Sequence, residues 1–326
     1  QNSKDTETDW ELIYSALQLT QVLSEKFPQR LLASSTTGMW TSVRSCLTYP
    51  HAWVKLAAAR LMGTYFTDFA RANVETGLSK LPLKGTNGLT LGSDDIRDLI
   101  RRTAHMFKTP SLTEDLATEI VKNLNFLGRV SAASSLSWKK PAGDLPEEDA
   151  EEREAEGEKQ SALNFIFSRL SYILRRESSP PRAAVLVPKT SALQLMSLLI
   201  TKLDGPALIP SLPTILLPLH NLTDNNIPIP YSTDELFKST YQEIRDNCTE
   251  LMEQLKIKCG TSIYTEQLLK VRRGVRERRE ARSSKRKIDA VTAPERSAKD
   301  KIKKVERKKE RRKERGAEHR DARNAY

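Results

Sequence analysis

The stretch YPHAWVKLAAARLMG, residues 49–63, decides the fold. A residue that precedes proline is held away from the α region, so Tyr49-Pro50 ends one element and opens the next. From Ala52 onward, Val54, Ala57, Ala58, Leu61, Tyr65 and Phe69 recur at helical spacing and predict one apolar stripe. Ala58 and Leu61 are expected on an inner face, where small residues let a second helix come close. His51, Trp53 and Lys55 read as turn and stacking residues, not as a catalytic group.

The same pattern extends in both directions. Upstream, Thr8 and Glu11 form a capping-box signature ahead of Trp10, Ile13 and Leu17. Leu12, Ala16, Leu19 and Leu23 widen that stripe, and Phe27-Pro28 closes the helix. A further helix is predicted over 37–48. Downstream, Gly77, Pro82, Gly85, Gly88 and Gly92 mark 76–93 as a loop. Helices resume with Ile96, Leu99, Ile100, Ala104 and Phe107. Ser111 and Glu114 form another capping box before Leu116, Ile120, Leu124 and Leu127.

The run KKPAGDLPEEDAEEREAEGEK, residues 139–159, is acidic and without apolar period, which predicts a disordered insert. It reads first as a solvated linker; the sharper alternative is a mimic of nucleic-acid charge that shields a basic surface. Helices return over 163–174, 192–203 and, after the Asp204-Gly205-Pro206 turn, in a proline-rich segment where Pro210, Pro213 and Pro218 predict a kinked helix. A cap at Ser232/Thr233/Asp234 opens a helix through Leu236, Phe237, Tyr241, Ile244, Cys248, Leu251, Met252 and Leu255, ended by Cys259-Gly260. A last packed helix is predicted from about Ser262 with Tyr264, Leu268, Val271 and Val275 facing its neighbours.

No strand alternation is visible. Helix pairs joined by short turns, each with one apolar stripe, cannot bury that stripe alone and must stack. The predicted fold class is therefore all-α: an α-solenoid with a long basic C-terminal helical tail. Its expected organisation is helical repeats over 1–138, an acidic insert over 139–160, helical repeats over 161–262 and the tail over 263–326. Gln1 is not an initiator Met and a strong apolar pattern begins at Trp10, so a longer parent chain is expected.

Other classes find little support. Cys46, Cys248 and Cys259 are odd in number and unpatterned, which argues for a reducing compartment. His51, His105, His220 and His319 are scattered, so no metal site is expected. No apolar run approaches the roughly 18 residues of a membrane span; the longest greasy stretch, 207–222, is broken by prolines. No phosphate loop, nucleophile–base pair or ligand cluster is present, so no enzyme activity, catalytic residue, cofactor or small-molecule ligand is expected.

The charge is lopsided. Residues 270–326 carry 24 Lys/Arg against 10 Asp/Glu, a net +14, while the whole chain is only +11. Everything before residue 270 therefore sums to −3, and this asymmetry points to a polyanionic partner. The runs at 285–287, 301–304 and 306–315 supply the expected phosphate contacts: Lys285, Arg286, Lys287, Lys303, Lys304, Lys308, Lys309, Arg311, Arg312 and Lys313. Glu306, Glu310 and Glu314 recur among them and support a solvent-spanning helix. The tail has no aromatic residue but Tyr326, so contact by charge and shape is expected in place of base stacking.

Residues 49–63 resemble the second helix of a HEAT repeat, with its proline turn, its Val-Lys pair at Val54-Lys55 and its small packing residues. Residues 199–224 resemble a second such unit. The segment from Tyr264 to Gly316 resembles the carboxyl end of the down-regulated-in-metastasis family, very large nucleolar HEAT-repeat proteins associated with the U-three small nucleolar RNA. Val271-Arg272 with Val275, KRKIDAV at 285–291 and Pro294-Glu295 with Ala298-Lys299 carry that resemblance, together with PHAWVKLAAARLMG upstream. It implies a non-enzymatic scaffold of the small-subunit processome, in the nucleolus, that serves 18S pre-ribosomal RNA processing. The partners it implies are pre-ribosomal RNA or U-three snoRNA and other processome proteins, with no membrane. The alternative is a HEAT-type adaptor for proteins alone, transport or regulatory, whose basic tail is only an import signal.

Overall fold

The computed structural model describes residues 5–139, 159–176, 181–224 and 230–292, and positions 295, 298, 299, 302, 303, 305, 306 and 309 beyond them. The chain divides into two compact units, Gln1–Leu268 and Leu269–Tyr326.

The first unit is built from helices. In chain order they are α1 (Asp5–Lys26), α2 (Pro28–Leu31), α3 (Thr37–Cys46), α4 (Ala52–Ala72), α5 (Ser93–His105), α6 (Glu114–Ala133), α7 (Ala162–Arg175), α8 (Val187–Lys202), α9 (Gly205–Leu208), α10 (Leu212–Thr223), α11 (Glu235–Cys259) and the start of α12 (Thr261–Thr292). In one layer α1 packs on α4, α4 on α6, α6 on α8 and α8 on α11. In the other α5 packs on α7 and α7 on α10. Each outer helix also covers its successor, α3 on α4, α5 on α6, α7 on α8 and α10 on α11. The result is an all-α, solenoid-like stack of helix pairs.

Helix α4 shows why the sequence folds this way. Its predicted stripe, Val54, Ala57, Ala58, Leu61, Tyr65 and Phe69, is buried throughout, and Ala59, Met62 and Phe66 widen it. Each large apolar side chain removed from water contributes about 1.5–3 kcal/mol. Three successive alanines and Gly63 let α6 approach closely enough for Asn123 Nδ2 to donate to the Ala59 carbonyl at 2.9 Å. That bond satisfies a buried amide that would otherwise be costly. Phe66 stacks on Phe126 across the same contact, with centroids 5.0 Å apart.

Several sequence expectations need correction. Helix α1 begins at Asp5, so Thr8 and Glu11 lie within it and do not cap it. Leu17 faces inward, but Leu12, Leu19 and Leu23 are exposed. The cap of α6 is Thr113, whose hydroxyl accepts from the Leu116 amide; Ser111 instead takes a left-handed φ of 49°. Helix α8 starts five residues before the expected Ala192, because Pro188 sits in its first turn, where a missing N–H does no harm. The proline-rich segment is not one kinked helix. Pro206 falls in the first turn of α9, Pro210 in a 3-10 turn and Pro213 in the first turn of α10, leaving Pro218 alone inside a helix. Leu236, expected on the packed stripe of α11, is exposed.

Two short antiparallel hairpins also escaped the sequence reading. β1 (Leu83–Lys84) pairs with β2 (Thr90–Leu91) inside the glycine-rich stretch. Buried Leu83, Leu89 and Leu91 anchor it, and Asp68 of α4 accepts from the Thr86 amide and hydroxyl. β3 (Ser137–Lys139) pairs with β4 (Lys159–Ser161), so both ends of the expected insert are strand. Residues 140–158 lie outside the described residues. The segment Ala183–Lys202, passed over in the sequence, is long and apolar enough by length and composition to cross a membrane. Here it packs among α6, α7 and α11, with Leu193, Leu195, Met196, Leu199 and Ile200 buried, as a core helix does.

Candidate nucleic-acid interface

Every cation singled out in the tail belongs to the second unit. Helix α12 carries the first of them. It is rich in Arg, Glu and Lys, which favour helix without needing a core, and its 32 residues span about 48 Å. Arg276 Nε and Glu280 Oε1 pair at 3.0 Å across one turn. Both are exposed, so the pair adds only a few tenths of a kcal/mol.

Lys285 and Lys287 are exposed on α12, and Lys303 and Lys309 are exposed further along. Arg286 lies on α12, but its side chain falls outside the described residues. Lys304, Lys308, Arg311, Arg312 and Lys313 lie outside them altogether. Lys285 and Lys287 are two residues apart and point to opposite sides of the helix, so these two cations do not form a stripe. Of the apolar stripe expected at its start, Val271 is buried and Leu268 and Val275 are half-buried. Ile288, Val291, Ile302 and Val305 are exposed.

The sequence reading overlooked a denser set. Arg272, Arg273, Arg276, Arg278, Arg279 and Arg282 are all exposed on α12. Arg278, Arg282 and Lys285 share one face at i, i+4, i+7, and Arg272, Arg276 and Arg279 share another. Six arginines in eleven residues, against Glu277 and Glu280, was the signal available; the unbroken Lys/Arg runs drew attention away from it. A rod with cations on several faces suits phosphates approached by shape, since Arg offers a planar fork of donors and needs no pocket.

Chemistry of other kinds has little footing among the described residues. No group of three His, Cys, Asp or Glu is placed to hold a metal ion there. The three cysteines are free thiols. Burial pushes Cys248 up to about 12 and raises Cys46 and Cys259 as well, which keeps them protonated and poorly nucleophilic.

Comparison with known proteins finds one family and relatives that match most of the chain. The family described as small subunit processome component 20 homolog, C-terminal, matches residues 11–318. The U3 small nucleolar RNA-associated protein 20 of Saccharomyces cerevisiae is 27% identical over 302 residues, covering 93% of this chain and 11% of its own length. The protein of the same name from Schizosaccharomyces pombe is 27% identical over 292 residues, covering 90% of this chain and 10% of its own. The chain thus spans about a tenth of the length of these curated relatives. No solved structure matches it.

Proposed function

We propose, since the chain belongs to the small subunit processome component 20 homolog C-terminal family, that it serves as a non-catalytic scaffold element of the small-subunit processome. In this reading it acts in the nucleolus, in 18S pre-ribosomal RNA processing and small-subunit assembly. The helical stack holds other processome proteins, and the basic C-terminal unit contacts phosphates of pre-ribosomal RNA or U-three snoRNA. The names of the relatives, both associated with U3 small nucleolar RNA, support it. The observation that carries it is the segregation of charge: a net +14 on residues 270–326 against −3 on all the rest, with the arginines of 272–282 exposed on α12.

The test is salt-dependent RNA binding. If about 6–10 phosphates are neutralised, affinity falls about a thousandfold or more between 50 and 200 mM salt. Replacing the Arg and Lys residues of 307–313 with Gln should weaken binding to all RNA sequences alike and flatten that slope. If the Gln variant, carried to the nucleolus by an unrelated import signal, fully restored ribosomal RNA maturation and the unaltered tail showed no RNA affinity, the tail would be an import signal only.

A further inference from the structure

The first unit holds a cationic cavity of about 670 Å³, far in sequence from the basic tail. Three pieces of backbone enclose it: the α5–α6 connection through Thr109–Thr113, the C-terminal half of α7, and the segment leading into α8. Lys108 stands on the first, Arg169 on the second with Arg176 just past its end, and Lys189 in the first turn of α8 itself. No carboxylate is among the lining residues; Glu114 and Asp115 open α6 just past Thr113 but do not line the cavity. A fifth cation sits behind the wall. Lys55 is buried in α4, and its ammonium donates to the hydroxyl of Thr109, a lining residue, at 3.1 Å.

This concentration is not a by-product of a basic body, because residues 1–269 sum to −3. Three of these cations, Lys108, Lys55 and Arg169, act on one group. His105, one turn before Lys108, is drawn below its ordinary 6.5 by desolvation and then by Lys108, Lys55 and Arg169. Like charges gathered over a partly apolar cavity repel one another, and an anion bound among them relieves that repulsion. The wall carries a further mark: Ser111 holds φ at 49°, a conformation that a residue with a Cβ rarely adopts and that gathers at binding sites.

We propose that this cavity binds the sugar-phosphate backbone of a single-stranded RNA segment. Lys108 and Arg176, both exposed at the rim, take phosphate oxygens. Tyr172, Ile173 and Pro188 give a half-buried apolar wall on which a base lies flat, and Ser111 and Thr113 bring hydroxyls within reach of ribose. The volume falls inside the roughly 300–1,000 Å³ of small-ligand sites, enough for a nucleotide held out of a strand. The aromatic wall is what the tail lacks. The two sites therefore differ in kind: the tail reads charge along a rod, and the cavity holds a base together with its phosphates. This inference rests on the reading that the chain meets RNA, but not on the tail being the part that does so.

The test uses the full chain and a fluorescently labelled oligouridine twelve-mer, followed by anisotropy across 50–200 mM salt. Four proteins are compared: unaltered, Lys108→Gln with Arg176→Gln, a tail variant with Gln at the Lys and Arg positions of 285–313, and the combination. Both cavity substitutions are exposed, and unchanged thermal melting checks that the fold is intact. Within the tail-variant background, the cavity pair should weaken binding at least fivefold. The log–log salt slope there should fall by about 1.4, the value for two lost contacts to a single strand. Photocrosslinked oligouridine should map to the Tyr172 peptide. Equal affinity with and without the cavity pair in that background overturns the cavity proposal, while the tail reading stands or falls on the tail variant alone. Binding of a labelled acidic or phosphorylated peptide that the cavity pair abolishes, with oligouridine unaffected, would overturn it too and assign the cavity to a protein partner.

Discussion

Gly205 stands where the stack leaves no room for a side chain. A Cβ added there would lie 2.2 Å from the Lys258 carbonyl oxygen, 3.1 Å from its carbon and 3.7 Å from the Cys259 Cα. A carbon meets a carbonyl oxygen comfortably only from about 3.3 Å, so Gly205→Ala demands a shift of about 1 Å. The obstacle is backbone at the end of α11 and cannot rotate away. That backbone is itself tied down, because Lys258 Nζ donates to the carbonyls of Ile200, Thr201 and Leu203 at 2.6, 2.7 and 2.9 Å. These are unpaired carbonyls at the end of α8, which need such a donor. Overpacking costs about 1–3 kcal/mol, and loosening hydrogen bonds to a charged donor about 1.5–3 kcal/mol more. Alanine's better helix propensity returns at most about 1 kcal/mol. The expected net loss is about 2–5 kcal/mol, read by urea or guanidinium unfolding. Gly38→Ala is the control: nothing lies within 4 Å of its added Cβ in α3, and it should be neutral or slightly stabilising. A Gly205→Ala protein as stable as wild type would show that α8, α9 and α11 do not meet as described.

Leu61→Ala, at a fully buried site in α4, should cost about 2–5 kcal/mol in the same unfolding assay, and Ala58→Glu more, since it buries a charge. Asn123→Ala should cost about 0.5–1.5 kcal/mol by removing the interhelix bond to the Ala59 carbonyl, which keeps its bond within α4, with slowed exchange of neighbouring amides lost. His105 should titrate below 6.5 by NMR, and Lys108→Gln should move its midpoint upward. Because the folded value is depressed, the unfolded chain binds more protons just below pH 6.5, so stability should rise as pH climbs through that window and His105→Gln should flatten the rise.

Local periodicity made α4 legible residue by residue, because its stripe is continuous and its neighbours are small. It failed on α1, where apolar residues lie on two faces and only contact with α4 decides which turns inward. Proline misled in a regular way: Pro206 reads as part of a turn and Pro213 as a kink inside a helix, yet both, like Pro188, occupy first turns, where they start helices. The Gly205–Lys258 contact and the Lys55–Thr109 bond join residues more than fifty positions apart, and no local pattern announces either. The cavity is the plainest case. Lys55, Lys108, Arg169, Arg176 and Lys189 form no run, whereas the tail cations announce themselves. Even in the tail, the exposed arginines of α12 were legible only as density, not as a motif.

The central claim is that this chain touches RNA. Ultraviolet crosslinking of the intact protein in cells, with crosslinked peptides and RNA sites both mapped, tests it most directly. The account predicts crosslinks on peptides from residues 270–326 and on the Tyr172 peptide, to pre-ribosomal RNA or U-three snoRNA. Efficient recovery of the protein with neighbouring processome proteins but no crosslinked RNA on either region would contradict it.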